Sequence, residues 1–228
     1  MTLLAHAIAL APAAGIERVG IRARPLIWSE RAGLGVWSTE WDASMKLASG
    51  DAFAHHHLLE RITEAQPCLP MRFGTTFASG AAAEAALERR ASALRAALAR
   101  VAGKQELAVT LLWKARAEPA VFSSSGEGRP GRRFLEEKRA RFVAADARRS
   151  RAAALAESLI AELAVDQALV WHEICTSEDV AVSLAVLVPS ERAAEMRSDL
   201  ERRAAALGDD VTAMVSGPWP AYSFAKVE

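Results

Sequence analysis

The residues with the most chemical capacity in this chain are three consecutive histidines, His55-His56-His57, and a cysteine not far beyond them, Cys68. Imidazoles ligate zinc and shuttle protons, and a thiolate is both a metal ligand and a nucleophile. On a helix, however, successive side chains point about 100° apart, so three in a row cannot converge on one ion. Helical zinc ligands need a spacing near four, as in H-E-x-x-H. His56 with Glu60 supplies two ligands at best. The spacing therefore predicts no metal and no cofactor, and structural or surface roles for the histidines. Cys68 has Arg72 as its nearest cation in sequence, thin support for a depressed pKa. The chain has two cysteines, Cys68 and Cys175, each within an apolar run. Two buried, reduced thiols are favoured over a disulfide, which fits a reducing compartment. G-x-S-x-G and Walker A runs are absent, so no catalytic constellation assembles from sequence.

Two further stretches invite a functional reading. From Arg129 to Arg151 basic residues predominate: Arg132, Arg133, Lys138 and Arg139 lead, with Glu136, Glu137 and Asp146 the only opposing charges. Phosphate binding wants such a patch. Yet Phe134, Leu135, Phe142 and Val143 read as the buried stripe of a helix, which makes the cations a solvated outer face or a contact for an acidic protein surface. Arg72, set within Leu69-Pro70-Met71-Arg72-Phe73-Gly74-Thr75, would need a carboxylate or carbonyl partner if buried; it reads as an anchor between elements, with reach to a binding surface as the alternative.

Positioning these residues requires a sizeable core. The chain has 228 residues, 51% of them hydrophobic, and its Lys+Arg and Asp+Glu balance at 28 each. That neutrality supports neither nucleic acid nor an anionic membrane as a partner. The first ten residues superficially resemble a signal peptide, but no Lys or Arg precedes the apolar run and His6 interrupts it; they read as a strand. No apolar stretch approaches the ~20 residues of a membrane span.

Along the chain, residues 2–10 predict a first strand, Val19 to Trp28 a second interrupted by Pro25, and Leu34 to Glu40 a third. A helix capped by Ser49 or Asp51 runs to Ala65, with Ala54, Leu58, Ile62 and Ala65 on one face. Cys68 to Thr75 predicts a short strand. Ser79 then caps one long helix through Val101, ended by Gly103. Beyond it, Leu107–Lys114, a helical region over 132–164, Ala168–Cys175, Val180–Val188, a helix over 189–207 and Val211–Ser216 follow in the order β-α-β-β-α-β, the ferredoxin-like motif. The strands at 107–114 and 180–188 are the most apolar, so they are expected side by side at the sheet centre. The reading is an α+β chain of two domains: an N-terminal α+β domain over 1–103, a ferredoxin-like domain with an enlarged helical insertion over 104–217, and an aromatic tail over 218–228 packed between them.

That tail, Gly217-Pro218-Trp219-Pro220-Ala221-Tyr222-Ser223-Phe224, is stiffened by its two prolines and loaded with aromatics. It reads as a non-helical segment laid into a groove, with Trp219, Tyr222 and Phe224 largely buried. It also resembles the C-terminal signature of the gas vesicle protein GvpL/GvpF family. Leu69, Pro70, Arg72, Phe73 and Gly74 lie in a stretch that is similar to that family's central motif, and the two occur in the family's order. The resemblance implies an N-terminal α+β domain followed by a ferredoxin-like one. It further implies an accessory or minor structural role in gas vesicle formation, with no catalysis and no cofactor, in the cytoplasm and at the vesicle. The implied partners are the main shell protein, gas vesicle protein A, and other accessory proteins. The alternative of a different class is a ferredoxin-like enzyme using His55, His56 or Cys68.

Overall fold

β1 (Thr2–Ala9) is buried along nearly its whole length, as an uninterrupted apolar run should be when it lies inside a sheet. The computed structural model, which describes residues 2–42, 44–114, 130–163, 166, 169–175 and 177–226 and leaves the side chains of residues 130–133 and 137 undescribed, places it between two antiparallel neighbours. On one side is β3 (Leu34–Trp41), which forms a hairpin with β2 (Leu26–Arg31). Ala32 and Gly33, both at positive φ, make the two-residue turn between them, the conformation that suits the twist of a hairpin. The register pairs Ala5 with Ser38 and then Ala7 with Trp37, so His6 sits in a β-bulge.

On the other side of β1 run two short strands, β4 (Leu69–Pro70) and β5 (Thr76–Phe77). The continuous strand expected over 68–75 is thus cut in two. Between the pieces the carbonyl of Arg72 accepts the Thr75 amide at 3.0 Å, and Gly74 has a φ of 86°. That is a β-turn whose third position requires glycine. The strand expected from Val19 also starts late, at Leu26. Arg22 and Ala23 adopt left-handed φ in a 3-10 turn over Ile21–Ala23, and Arg22 reaches across to Asp51 with two bonds of 2.8 and 2.7 Å.

α1 (Ser49–Ala65) begins after Ala48, whose amide donates to Asp51 Oδ2 at 2.8 Å. Its inward face is Asp51, His55, Leu58, Leu59 and Ile62. His55 and Leu59 therefore join the predicted Leu58 and Ile62, whereas Ala65 is exposed. Ser79 caps the next helix as expected, accepting from the Ala82 amide. The single long helix is instead two, α2 (Gly80–Arg89) and α3 (Ala91–Val101), broken where Arg90 takes φ −114° and ψ 15°. No proline or glycine marks the break. Leu87, Leu94, Leu98 and Val101 are buried all the same.

The second sheet has the strand order β7-β8-β6-β9, from β6 (Lys104–Trp113), β7 (Val170–Ile174), β8 (Val180–Pro189) and β9 (Val211–Trp219). α4 (Pro130–Leu163) and α5 (Ala193–Ala205) supply the helices, so the element order is β-α-β-β-α-β. The two most apolar strands are central: Leu107, Val109 and Leu111 of β6 and Val182, Leu184 and Val186 of β8 are fully buried. β9 continues three residues beyond its expected end, taking in Gly217, Pro218 and Trp219. Proline is admissible there because β9 is an edge strand. The chain is an α+β protein with two antiparallel sheets, and it divides into two compact units: Met1–Glu106 with Leu187–Ala193 and Pro218–Glu228, and Leu107–Val186 with Ala194–Gly217.

Candidate functional site

α1 distributes its three histidines to three different surroundings, as the helical rotation between successive residues dictates. His55 points into the first unit and is buried, with its Nδ1 3.0 Å from His6 Nδ1 and its Nε2 3.1 Å from the Met71 carbonyl oxygen. His56 meets the C-terminal segment, its Nδ1 2.9 Å from the Tyr222 hydroxyl. His57 is exposed and pairs with Glu60 Oε2 at 2.9 Å.

The buried pair has a determined sense of donation. Met71's carbonyl can only accept, so His55 Nε2 donates. A neutral His55 then accepts at Nδ1, and His6 Nδ1 donates to it. His6 Nε2 is left as an acceptor for the Thr39 hydroxyl, 2.8 Å away. Thr39, His6, His55 and Met71 thus form one chain in which every ring nitrogen is used. Burial, with His55 as a second cause, lowers the His6 pKa to about 3. Burial also lowers that of His55, against the opposing pull of the Met71 carbonyl. The β-bulge at His6 places its ring, and Gly20 leaves room for Thr39, since a Cβ at Gly20 would stand 2.2 Å from Thr39 Oγ1.

Both quoted motifs converge on this helix. In the central one, Leu69 and Pro70 pair with Ile8 and Ala7, the Met71 amide donates to the His6 carbonyl at 2.7 Å, and the Phe73 ring lies tilted against His55 with ring centroids 5.4 Å apart. Gly74 makes the turn already described. Arg72 is exposed, so it does not serve as the buried anchor read from its apolar neighbours; its backbone carbonyl, bound by Thr75, does the local work.

In the C-terminal motif, Trp219 lies edge-on to His56, centroids 5.2 Å apart, and Tyr222 stacks beside the same ring. Tyr222 also packs on the cluster of Leu58, Leu59, Ile62 and Cys68, and burial pushes its phenol pKa up. Tyr222–Phe224 is a 3-10 turn, where sequence predicted no helical turn, and it contacts β4 directly. Ser223 donates through its amide and hydroxyl to Glu106, at 2.8 and 2.9 Å, and Arg100 donates to the Phe224 carbonyl at 2.9 Å. Glu106 is buried, which raises its pKa against the lowering effect of the Ser223 bonds. Phe224 is buried, whereas Trp219 and Tyr222 are half-buried. Pro218 and Pro220 flank Trp219 and hold the segment extended. Gly217, in β9, has φ 104° and accepts from Arg197 at 2.8 Å.

Cys68 is buried beside Thr63, and its thiol pKa is pushed up to about 11, the reverse of an activated nucleophile. It lines an open cleft of 260 Å³ with Gln66, Lys104, Gln105, Ser190 and Ala221. Cys175, expected buried, is only partly so. Among the described residues no group of three or more His, Cys, Asp or Glu is placed to hold a metal ion, and no helix is long and apolar enough to cross a membrane. Lys138 and Arg139 are exposed on α4; the side chains of Arg132 and Arg133, on the same helix, lie outside the described residues.

His6, Thr39, Glu106 and Ser223 escaped the sequence reading. His6 left one signal, a lone histidine inside an apolar strand; the other three left none.

A family model described as gas vesicle synthesis protein GvpL/GvpF matches residues 4–226. Gas vesicle protein L2 of Halobacterium salinarum is 35% identical over 179 residues, a match that covers 69% of this chain and 63% of that protein's length. In fold, the crystal structure of the gas vesicle protein GvpF from Anabaena sp. PCC7120 is similar with a TM-score of 0.74 and 19% identity, covering 100% of this chain and 97% of that one. GvpF from Microcystis aeruginosa is similar with a TM-score of 0.73 and 17% identity, covering 99% of each chain. With the family model spanning nearly the whole chain, and both motifs built into one junction on α1, this protein belongs to the gas vesicle synthesis protein GvpL/GvpF family.

Proposed function

We propose that this protein is an accessory or minor structural protein of gas vesicle assembly. It binds the main shell protein, gas vesicle protein A, and other accessory proteins, acts in the cytoplasm and at the vesicle, and catalyses no reaction. The observation that carries this reading is the family match across residues 4–226. Physical logic supports it: a shell protein whose gas-facing surface is strongly apolar risks aggregation before assembly, and a partner that covers that surface or orders its addition relieves the risk. The histidines that an enzyme would use are consumed by internal bonds, and the Cys68 thiol is raised rather than activated. We also read residues 104–217 as a ferredoxin-like domain whose first crossover is enlarged into the 34-residue α4.

The contact with the shell protein is taken to be mainly apolar, so moderate salt weakens it little. Co-precipitation of the shell protein by this chain at low and high salt, with deletion of the gene in a vesicle-forming host, tests the reading. Retained capture at high salt and loss of vesicles are expected. A shell protein that is never captured, together with a deletion strain that floats normally, would overturn it.

A further inference from the structure

α4 is expected from its sequence to bury Phe134, Leu135, Phe142 and Val143. The structure does the opposite: these four are 62–65% exposed. Only the C-terminal half is covered, with Ala152, Leu155, Ala156 and Leu159 at 0–1% exposure, packed with β7 and tied by Arg151 to Asp210 at 2.9 Å. Every described side chain from Phe134 to Arg151 is exposed.

Of the bare residues, Phe134 continues the line of the buried stripe. Phe134 precedes Ala152 by 18 positions, five whole turns at 3.6 residues each, so the two lie on one line of the helix. Phe142 and Leu135 fall within about 100° of that line. Phe134, Leu135 and Phe142 therefore form an exposed apolar patch about 12 Å long at 1.5 Å per residue, on and to one side of that line.

Charge decides what fits it. Residues 130–150 hold seven basic side chains against three acidic ones, in a chain whose net charge is zero. Lys138, its Nζ 6.0 Å from the centre of the Phe142 ring, Arg141 and Arg148 lie within about 40° of the Phe134–Ala152 line and Arg149 about 60° from it, while Arg139 lies towards the opposite face. A second copy of this helix would bring like charge against like. A nucleic-acid duplex keeps its base faces stacked inside and offers nothing apolar to the phenylalanines. A bilayer would meet cations in the middle of the face it must swallow. A helix with an apolar stripe edged by Asp and Glu satisfies both features at once, its stripe on Phe134, Leu135 and Phe142 and its carboxylates on the cations.

We propose that the exposed half of α4 is a docking surface for an acidic amphipathic helix of a partner protein. This does not rest on the shell-protein reading, and its test uses no vesicle protein. A labelled peptide of about three heptads, with Leu at a and d and mostly Glu elsewhere, is titrated with the full chain and followed by fluorescence anisotropy. Saturable binding is expected, weakened at least tenfold by the pair Phe134→Ser and Phe142→Ser and by the pair Arg148→Glu and Arg149→Glu. It should be unchanged by Phe53→Ser, an exposed phenylalanine on α1. Circular dichroism confirms that each variant is folded; should the serine pair unfold, the charge-reversal pair decides. Any of four results overturns the proposal: no saturable binding, equal binding of a scrambled peptide of the same composition, unchanged binding by the folded variants, or a preference for anionic vesicles over the peptide. Self-association in sedimentation that the serine pair abolishes would equally replace it with a dimer.

Discussion

His56 Nδ1 and the Tyr222 hydroxyl, 166 positions apart in sequence, lie 2.9 Å from each other. With the Glu106–Ser223 bonds and the Arg100–Phe224 bond, this contact fastens the end of the chain to α1, β6 and α3 within the first unit. Losing one such hydrogen bond costs about 0.5–1.5 kcal/mol. Tyr222→Phe should therefore lower the melting temperature by a few degrees. Trp219→Ala, which also removes apolar contact, should lower it further, towards the ~1.5–3 kcal/mol of a buried large side chain. Glu106→Ala should expose the segment to chymotrypsin at Tyr222 and Phe224. Unchanged melting curves in all three variants, with no gain in cleavage, would show that the segment is not stably docked.

Acid should destabilise the fold through the buried histidines. An unfolded histidine takes its proton near pH 6.5, whereas folded His6 does so only near 3. Between those values the unfolded state binds more protons, so stability present above pH 6.5 is lost as pH falls towards 3. His55 shifts in the same direction. Glu106 acts the other way, because its raised pKa lets the folded state hold a proton more firmly than the unfolded chain does. Over the window from pH 6.5 to 5.5 an unfolded imidazole goes from half to about nine-tenths protonated while folded His6 stays neutral, a loss of about 1 kcal/mol. Urea midpoints should fall across that window, and His6→Gln should flatten the fall whatever its effect at pH 7.

The two thiols should react unequally. Cys68 is 4% exposed with a pKa near 11, whereas Cys175 is partly open to solvent. A colorimetric disulfide reagent should modify one thiol per native chain quickly and the second only after denaturation. Cys175→Ser should remove the fast phase; a fast phase that persists would place Cys68 at the surface.

Gly74→Ala isolates backbone strain. The added Cβ would find Leu47 Cδ1 at 3.5 Å, an ordinary contact, so space is not at issue. A φ of 86° is, and left-handed backbone costs an L residue about 1–2 kcal/mol. Denaturant titration should show a loss of that size with an unchanged slope, since the turn and not the core is altered.

Local pattern carried much of the architecture. Alternation marked β3, continuous apolarity marked β1, β6 and β8, and the last two are indeed the central strands of their sheet. Ser79 and Gly103 marked a helix start and stop because capping and positive φ are properties of single residues. The rotation of an α-helix alone was enough to deny His55, His56 and His57 a common target.

Other features depend on what lies across space. Nothing around Arg90 announces the break between α2 and α3. The bulge that seats His6 is a mismatch between β1 and β3, a relation between strands rather than a property of either. The apolar neighbours of Arg72 leave its burial open, and it is exposed because it falls in the turn between β4 and β5. Phe134 and Phe142 fit the period of a buried stripe; whether a stripe is buried is settled by what packs on it, and α4 reaches past its neighbours. By itself the sequence determined the order of most elements, the α+β class and the family motifs, because those follow from the chemistry and spacing of residues close along the chain. Only tertiary structure decided that His6 and His55 share a proton chain, that His56 receives the end of the chain, and that half of α4 is bare, because burial and hydrogen-bond partners are set by residues tens to hundreds of positions away.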